Sequence, residues 1–77
     1  MSVTAYVMVK ANTGEADRLK QQMAAIDGVE RVSIVAGDVD FIVTLSVETP
    51  ADVKDVAAAS IQGLDGIEST QTYVAMD

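Results

Sequence analysis

The chain has 77 residues, no cysteine and no histidine, and 12 acidic against 5 basic residues give it a net charge of −7. That composition excludes disulfide staples, zinc sites of the Cys/His type and any Ser-His or Cys-His catalytic pair. It also argues against direct binding of nucleic acid or an anionic membrane surface, because phosphate binding draws on Lys and Arg and the only basic residue after Arg31 is Lys54.

The first element is expected from Val3 to Val9, where Val3, Ala5, Val7 and Val9 alternate with Thr4, Tyr6 and Met8. Period two in β-forming residues is the mark of a half-buried strand. Asn12-Thr13-Gly14 breaks it and offers a helix cap, with Glu15 and Asp17 in the acidic first turn. Ala16, Leu19, Met23 and Ile26 then draw one apolar helical stripe, which Asp27-Gly28 stops. A second strand is expected over Val29 to Ala36, with Val32, Ile34 and Ala36 on one face and Arg31, Ser33 and Val35 on the other. Gly37-Asp38 is a turn signal. The third strand, Asp40 to Val47, puts Phe41, Val43, Leu45 and Val47 on one face. Thr49-Pro50 starts a second helix, since Thr caps and Pro suits the first helical position. Its stripe is Val53, Val56, Ala57, Ile61 and Leu64. Asp65-Gly66 ends it, and Ile67 to Met76 is expected as the last strand.

A repeat organises these elements. Ile26-Asp27-Gly28-Val29-Glu30 returns as Leu64-Asp65-Gly66-Ile67-Glu68, an offset of 38 residues. The same offset carries Val3, Ala5, Val7 and Val9 onto Phe41, Val43, Leu45 and Val47, and Met23 onto Ile61. Two βαβ halves in tandem give an α+β, ferredoxin-like βαββαβ fold over residues 1–77, a single domain. Its four-stranded antiparallel sheet carries both helices on one face, in the order 4-1-3-2.

Such a sheet leaves one face bare. Tyr6, Met8, Ile42 and Val35 would lie there among Thr4, Thr44, Ser46, Arg31 and Ser33, and the last strand is expected to add Thr70, Thr72, Val74 and Met76. A monomer rarely leaves such a patch wet. A chain this short also hides only about 60% of its unfolded surface. Packing of the bare sheet against a second copy answers both problems.

Few residues offer chemistry. Gly37-Asp38-Val39-Asp40 places two carboxylates at a turn, where they could receive a cationic group or simply serve the turn through local hydrogen bonds. Ser69-Thr70-Gln71-Thr72 is a polar stretch within a strand, suited to an edge facing water or to a polar pocket at an interface. The Met residues read as core or interface filler. There is no phosphate-binding Gly-rich loop, no activated nucleophile and no motif that calls for a cofactor or metal. The sequence is therefore read as that of a non-enzyme. No apolar run is long enough to cross a bilayer, and the N-terminus lacks the basic start of a secretory signal, so a cytoplasmic location is expected.

The strand Ala5-Tyr6-Val7-Met8-Val9, the turn Ile26-Asp27-Gly28-Val29, the hairpin Val35-Ala36-Gly37-Asp38-Val39-Asp40-Phe41 and the ending Leu64-Asp65-Gly66-Ile67 with Thr70-Gln71-Thr72 together resemble the ligand-binding (effector) domain of the Lrp/AsnC family of regulators. The hairpin looks like that family's Gly-Asp-x-Asp signature, and the resemblance covers essentially the whole chain. It implies dimers of the dimeric α/β-barrel type formed by facing sheets, assembly to octamers or decamers, and a small amino acid bound between dimers. It carries a ligand role onto Gly37, Asp38 and Asp40 and onto Thr70 and Thr72, with Val74 and Tyr6 as secondary candidates. Asp38 or Asp40 would meet the ligand's ammonium. Full-length members carry an N-terminal helix-turn-helix. With the first strand starting at about Val3, this chain resembles a stand-alone effector domain, acting on transcription indirectly through full-length DNA-binding relatives. The alternatives are a ligand-free oligomerisation module and a small dimeric α/β-barrel enzyme of the monooxygenase or isomerase kind. The second of these is disfavoured by the missing His and by having only Tyr6, Phe41 and Tyr73 to line an aromatic pocket.

Overall fold

In the computed structural model, which describes residues 2–77, the alternating N-terminal segment forms β1 (Val3–Ala11). A 3₁₀ turn (Thr13–Glu15) leads into α1 (Ala16–Ala24), followed by β2 (Val29–Ile34) and β3 (Phe41–Val47). Then come α2 (Pro50–Lys54), its direct π-helical continuation (Asp55–Ile61), and β4 (Ile67–Val74). The strands make one antiparallel sheet in the order β2-β3-β1-β4, the ferredoxin-like arrangement that the repeat predicts.

Side-chain caps start the 3₁₀ turn that leads into α1 and the second helix, while α1 itself has no side-chain cap. The Asn12 side chain accepts the Gly14 amide at 3.2 Å. Thr49 Oγ1 accepts the Asp52 amide at 3.3 Å while the Asp52 carboxylate accepts the Thr49 amide at 3.1 Å, a reciprocal capping box with Pro50 in the first turn. Ala5, Val7 and Val9 of β1 and Phe41, Val43 and Leu45 of β3 are buried under Leu19 and Met23 of α1 and Val53, Val56, Ala57 and Ile61 of the second helix. No polar or charged side chain is buried among the described residues, so the core is held by apolar burial alone.

The five-residue repeat has a structural meaning. Gly28 and Gly66 both take positive φ, 93° and 97°, which a β-carbon would oppose. The next residue, Val29 or Ile67, packs against the core. The residue after that, Glu30 or Glu68, is the extra residue of a β-bulge: Val29 and Arg31 face consecutive residues Leu45 and Thr44, and Ile67 and Ser69 face consecutive residues Ala11 and Lys10.

The second bulge overturns one expectation. Residues paired across an antiparallel ladder share a face, and Thr70, Thr72 and Val74 pair with Val9, Val7 and Ala5. Those three residues of β4 therefore lie on the helix-covered side, not on the bare face where simple alternation from Ile67 puts them. Each bulge residue reverses the alternation that comes after it. Ser69, Gln71 and Tyr73 take the bare face instead, opposite Lys10, Met8 and Tyr6. Tyr6 pairs with Tyr73 there, 39% and 50% exposed, beside the half-buried Met8 and Ile42. The strand limits also differ. β1 runs on to Ala11, β2 stops at Ile34 rather than Ala36, and β4 stops at Val74, leaving Met76 95% exposed beyond it.

Candidate functional site

Two regions hold the residues singled out above. The first is an open-sided groove of about 430 Å³ between the second helix and β4, lined by Pro50, Val53, Lys54, Ala57, Ala58, Gln62, Thr70, Thr72 and Val74. That volume falls in the range of small-molecule sites. Side chains are smaller here than at the matched positions of the first half. The repeat sets Ala57 where the first half has Leu19, and Thr70 and Thr72 where it has Val32 and Ile34.

The groove's lining is partly apolar and partly polar. Gln62 Nε2 donates to Thr70 Oγ1 at 2.6 Å. Gln62 stands just after the π-helical turn, and its amide reaches back five residues to the Ala57 carbonyl at 3.3 Å. A wide turn of this kind re-aims the residues beyond it and recurs at functional sites. A neighbouring recess of about 350 Å³, lined by Ile67, Glu68 and Ser69 with Gln62 and Thr70, lies on the far side of that hydrogen bond. Neither Lys54 nor Gln62 belongs to a motif that sequence reading singles out. Their signal is positional, since Lys54 lies on, and Gln62 just after, the helix that the right-handed crossover lays over β4.

The second region is the β2–β3 hairpin. Asp38 is exposed at its tip and Asp40 is half-buried at its base. Asp40 makes three hydrogen bonds: its amide donates to the Val9 carbonyl at 2.9 Å, its carbonyl accepts the Val35 amide at 2.9 Å, and its Oδ2 accepts the Ala11 amide at 2.9 Å. Gly37 and Asp38 are exposed next to it and carry no such ties.

Within one chain the two regions stay apart. Neither recess containing Thr70 is lined by Gly37, Asp38 or Asp40. Tyr6 belongs to neither region, because it lies on the bare sheet face. A third recess, of about 420 Å³, is lined by Asn12, Gly14, Glu15, Arg18, Asp65 and Gly66. Its cation, Arg18, is already satisfied by Glu15 at 3.0 Å, Gln22 at 2.9 Å and the Asp65 carbonyl at 3.4 Å. Among the described residues there is no cluster of potential metal ligands, and no helix is long and apolar enough to cross a membrane.

Comparison with known proteins agrees with this fold. A crystal structure of TTHA0845 from Thermus thermophilus is similar over 97% of this chain and 94% of that one, with 25% identity and a TM-score of 0.92. Escherichia coli AsnC is similar over 97% of this chain with 16% identity and a TM-score of 0.88. The transcriptional regulator NMB0573 of Neisseria meningitidis, in complex with L-Met, is similar over 97% with 10% identity and a TM-score of 0.82. This chain spans 51% of AsnC and 50% of NMB0573, so it matches about half the length of each. No curated protein sequence matches it. The family model for the Lrp/AsnC ligand-binding domain matches residues 4–77. With that match over nearly its whole length, the chain belongs to the Lrp/AsnC ligand-binding domain family.

Proposed function

We propose that this domain is an amino-acid-binding effector. It assembles into dimers and then larger rings, and it modulates transcription indirectly, through DNA-binding relatives in the cytoplasm. The observation that carries the proposal is the groove over β4: the buried Val53 and Ala57, with the more exposed Pro50, Ala58 and Val74, beside two threonine hydroxyls, one amide and one ammonium group. That set suits a zwitterion with a short side chain. Lys54, Thr70 and Thr72 would receive the carboxylate, and Asp38 at the exposed hairpin tip of a neighbouring copy would receive the ammonium.

Dimerisation through the bare sheet is consistent with its chemistry. The Tyr6–Tyr73 pair with Met8 and Ile42 is an apolar patch on a small chain with no other way to bury it. The excess of acidic over basic residues sets the chain against reading DNA itself, which is why its influence is assigned to relatives. No residue in the groove is arranged as an acid–base pair or an activated nucleophile, and a binding role fits it better than catalysis.

Thermal unfolding against each of the twenty amino acids tests this reading. A ligand that binds only the assembled native state at about 100 times its Kd adds about 2.7 kcal/mol, a rise in Tm of roughly 10 °C or more for a domain of this size. At least one amino acid should produce that rise, and Thr70→Val with Thr72→Val should remove it. A flat response to all twenty would favour the ligand-free oligomerisation module instead.

A further inference from the structure

We infer that the two carboxylates of the hairpin have separate duties. Asp40 is a positioning residue that locks the hairpin to the end of β1, and Asp38 alone is left to meet a ligand; the second half of this inference rests on the function proposed above. Ala11 is 5% exposed, and its amide needs a partner, since a buried N–H left unpaired is costly. The β3 backbone cannot supply one. The β1–β3 ladder ends at the pair Val9 and Phe41, so Ala11 lies beyond it, where its β4 neighbour Ile67 is set off from Ser69 by the bulge at Glu68. The Asp40 carboxylate fills that place, with Oδ2 at 2.9 Å from the Ala11 nitrogen.

The neighbouring bonds make this a clamp rather than an isolated contact. The Asp40 amide and carbonyl bind Val9 and Val35, each at 2.9 Å, closing the hairpin base. One residue beyond Ala11, the Asn12 amide turns the other way, to the Gly66 carbonyl at 2.8 Å just before β4. The end of β1 is thereby fastened to the hairpin on one side through Asp40 and to the start of the Thr-bearing strand on the other. The Ala11 bond fixes the orientation of the half-buried Asp40 carboxylate at the hairpin base, whereas Asp38 stands exposed and untied at the tip.

The test measures amide hydrogen exchange and amino-acid response in three variants of the intact chain. Asp40→Ala should speed exchange at Ala11 and Val35 by about tenfold. Asp40→Asn keeps an oxygen acceptor and should hold exchange near the native rate, and Asp38→Asn should leave it unchanged. With an equimolar mixture of the twenty amino acids as probe, Asp40→Asn should keep the wild-type Tm shift and Asp38→Asn should lose it. Native exchange at Ala11 in Asp40→Ala would overturn the clamp. Loss of the Tm shift in Asp40→Asn with native exchange would also overturn the division of duties, because it would put Asp40 on the ligand. A wild-type chain that does not respond to the mixture would refute the proposed function, while the exchange rates would still decide the clamp.

Discussion

β2 and β4 are the same strand written twice, and they end up doing different things. Each leaves a Gly of positive φ, packs one apolar residue, carries a bulged Glu and then runs along a central strand as a sheet edge. In β2 the next inward residue is Val32, buried at 6% exposure, and α1 supplies Leu19 to the same core. In β4 the matching positions are Thr70 and Thr72, and the second helix supplies Ala57 where α1 has Leu19. One half is filled and the other is hollowed. Under the proposed function, the hollowed copy holds the ligand while the filled copy contributes more to the core.

Substitutions at matched positions sharpen or break that comparison. Leu19→Ala removes a fully buried side chain and should cost about 2–5 kcal/mol in chemical denaturation. A loss no larger than that of an exposed-site change would show that the first half is not the stabilising one. Tyr73→Glu places a charge on the bare face and should shift the mass in solution toward the monomer, through loss of aromatic packing worth about 0.5–1.5 kcal/mol beyond its area and through charge repulsion. An unchanged mass would remove the sheet from the interface.

The two glycines come next. Both Gly28→Ala and Gly66→Ala force a side chain into positive φ, at about 1–2 kcal/mol. Gly28→Ala should be the worse, since its β-carbon would lie 2.9 Å from Val47 Cγ1, against 3.6 Å from Leu19 Cδ1 at Gly66. Ala58→Leu is a surface change that fills the groove. It should alter stability by no more than about 0.5 kcal/mol, yet abolish any amino-acid-dependent rise in Tm. The smallest effect should be that of salt. With −7 charges on every copy, self-association should tighten modestly as ionic strength rises, because screening weakens repulsion between copies.

The repeat makes most of the architecture legible. Strand, helix and turn recur at one spacing, and the two most apolar strands have to be central. Simple alternation misplaces the face of β4 for a definite reason. It counts from Ile67 through Glu68, but Glu68 is the bulge, and one extra residue inverts every position after it. In β2 the same bulge at Glu30 does no harm, because Val32 is apolar and marks its own face. Thr70 and Thr72 carry no such mark. The signal is nonetheless there, since the 38-residue offset maps Val32 and Ile34 onto Thr70 and Thr72. The pairing of the two hairpin carboxylates is legible only as composition. That Asp40 accepts the Ala11 amide depends on β1 running two residues past the end of its ladder with β3, which no local pattern of residues announces.

Everything proposed for the groove depends on which way β4 faces. Nuclear Overhauser contacts of the Thr70 and Thr72 methyl groups read this directly in solution. The groove predicts contacts from Thr70 to the Gln62 side-chain amide, 2.6 Å from its hydroxyl, and from the pair to Ala57 and Val53. Contacts from those methyls to Tyr6 or Met8 instead would put the threonines on the bare sheet and contradict the groove and the site proposed within it.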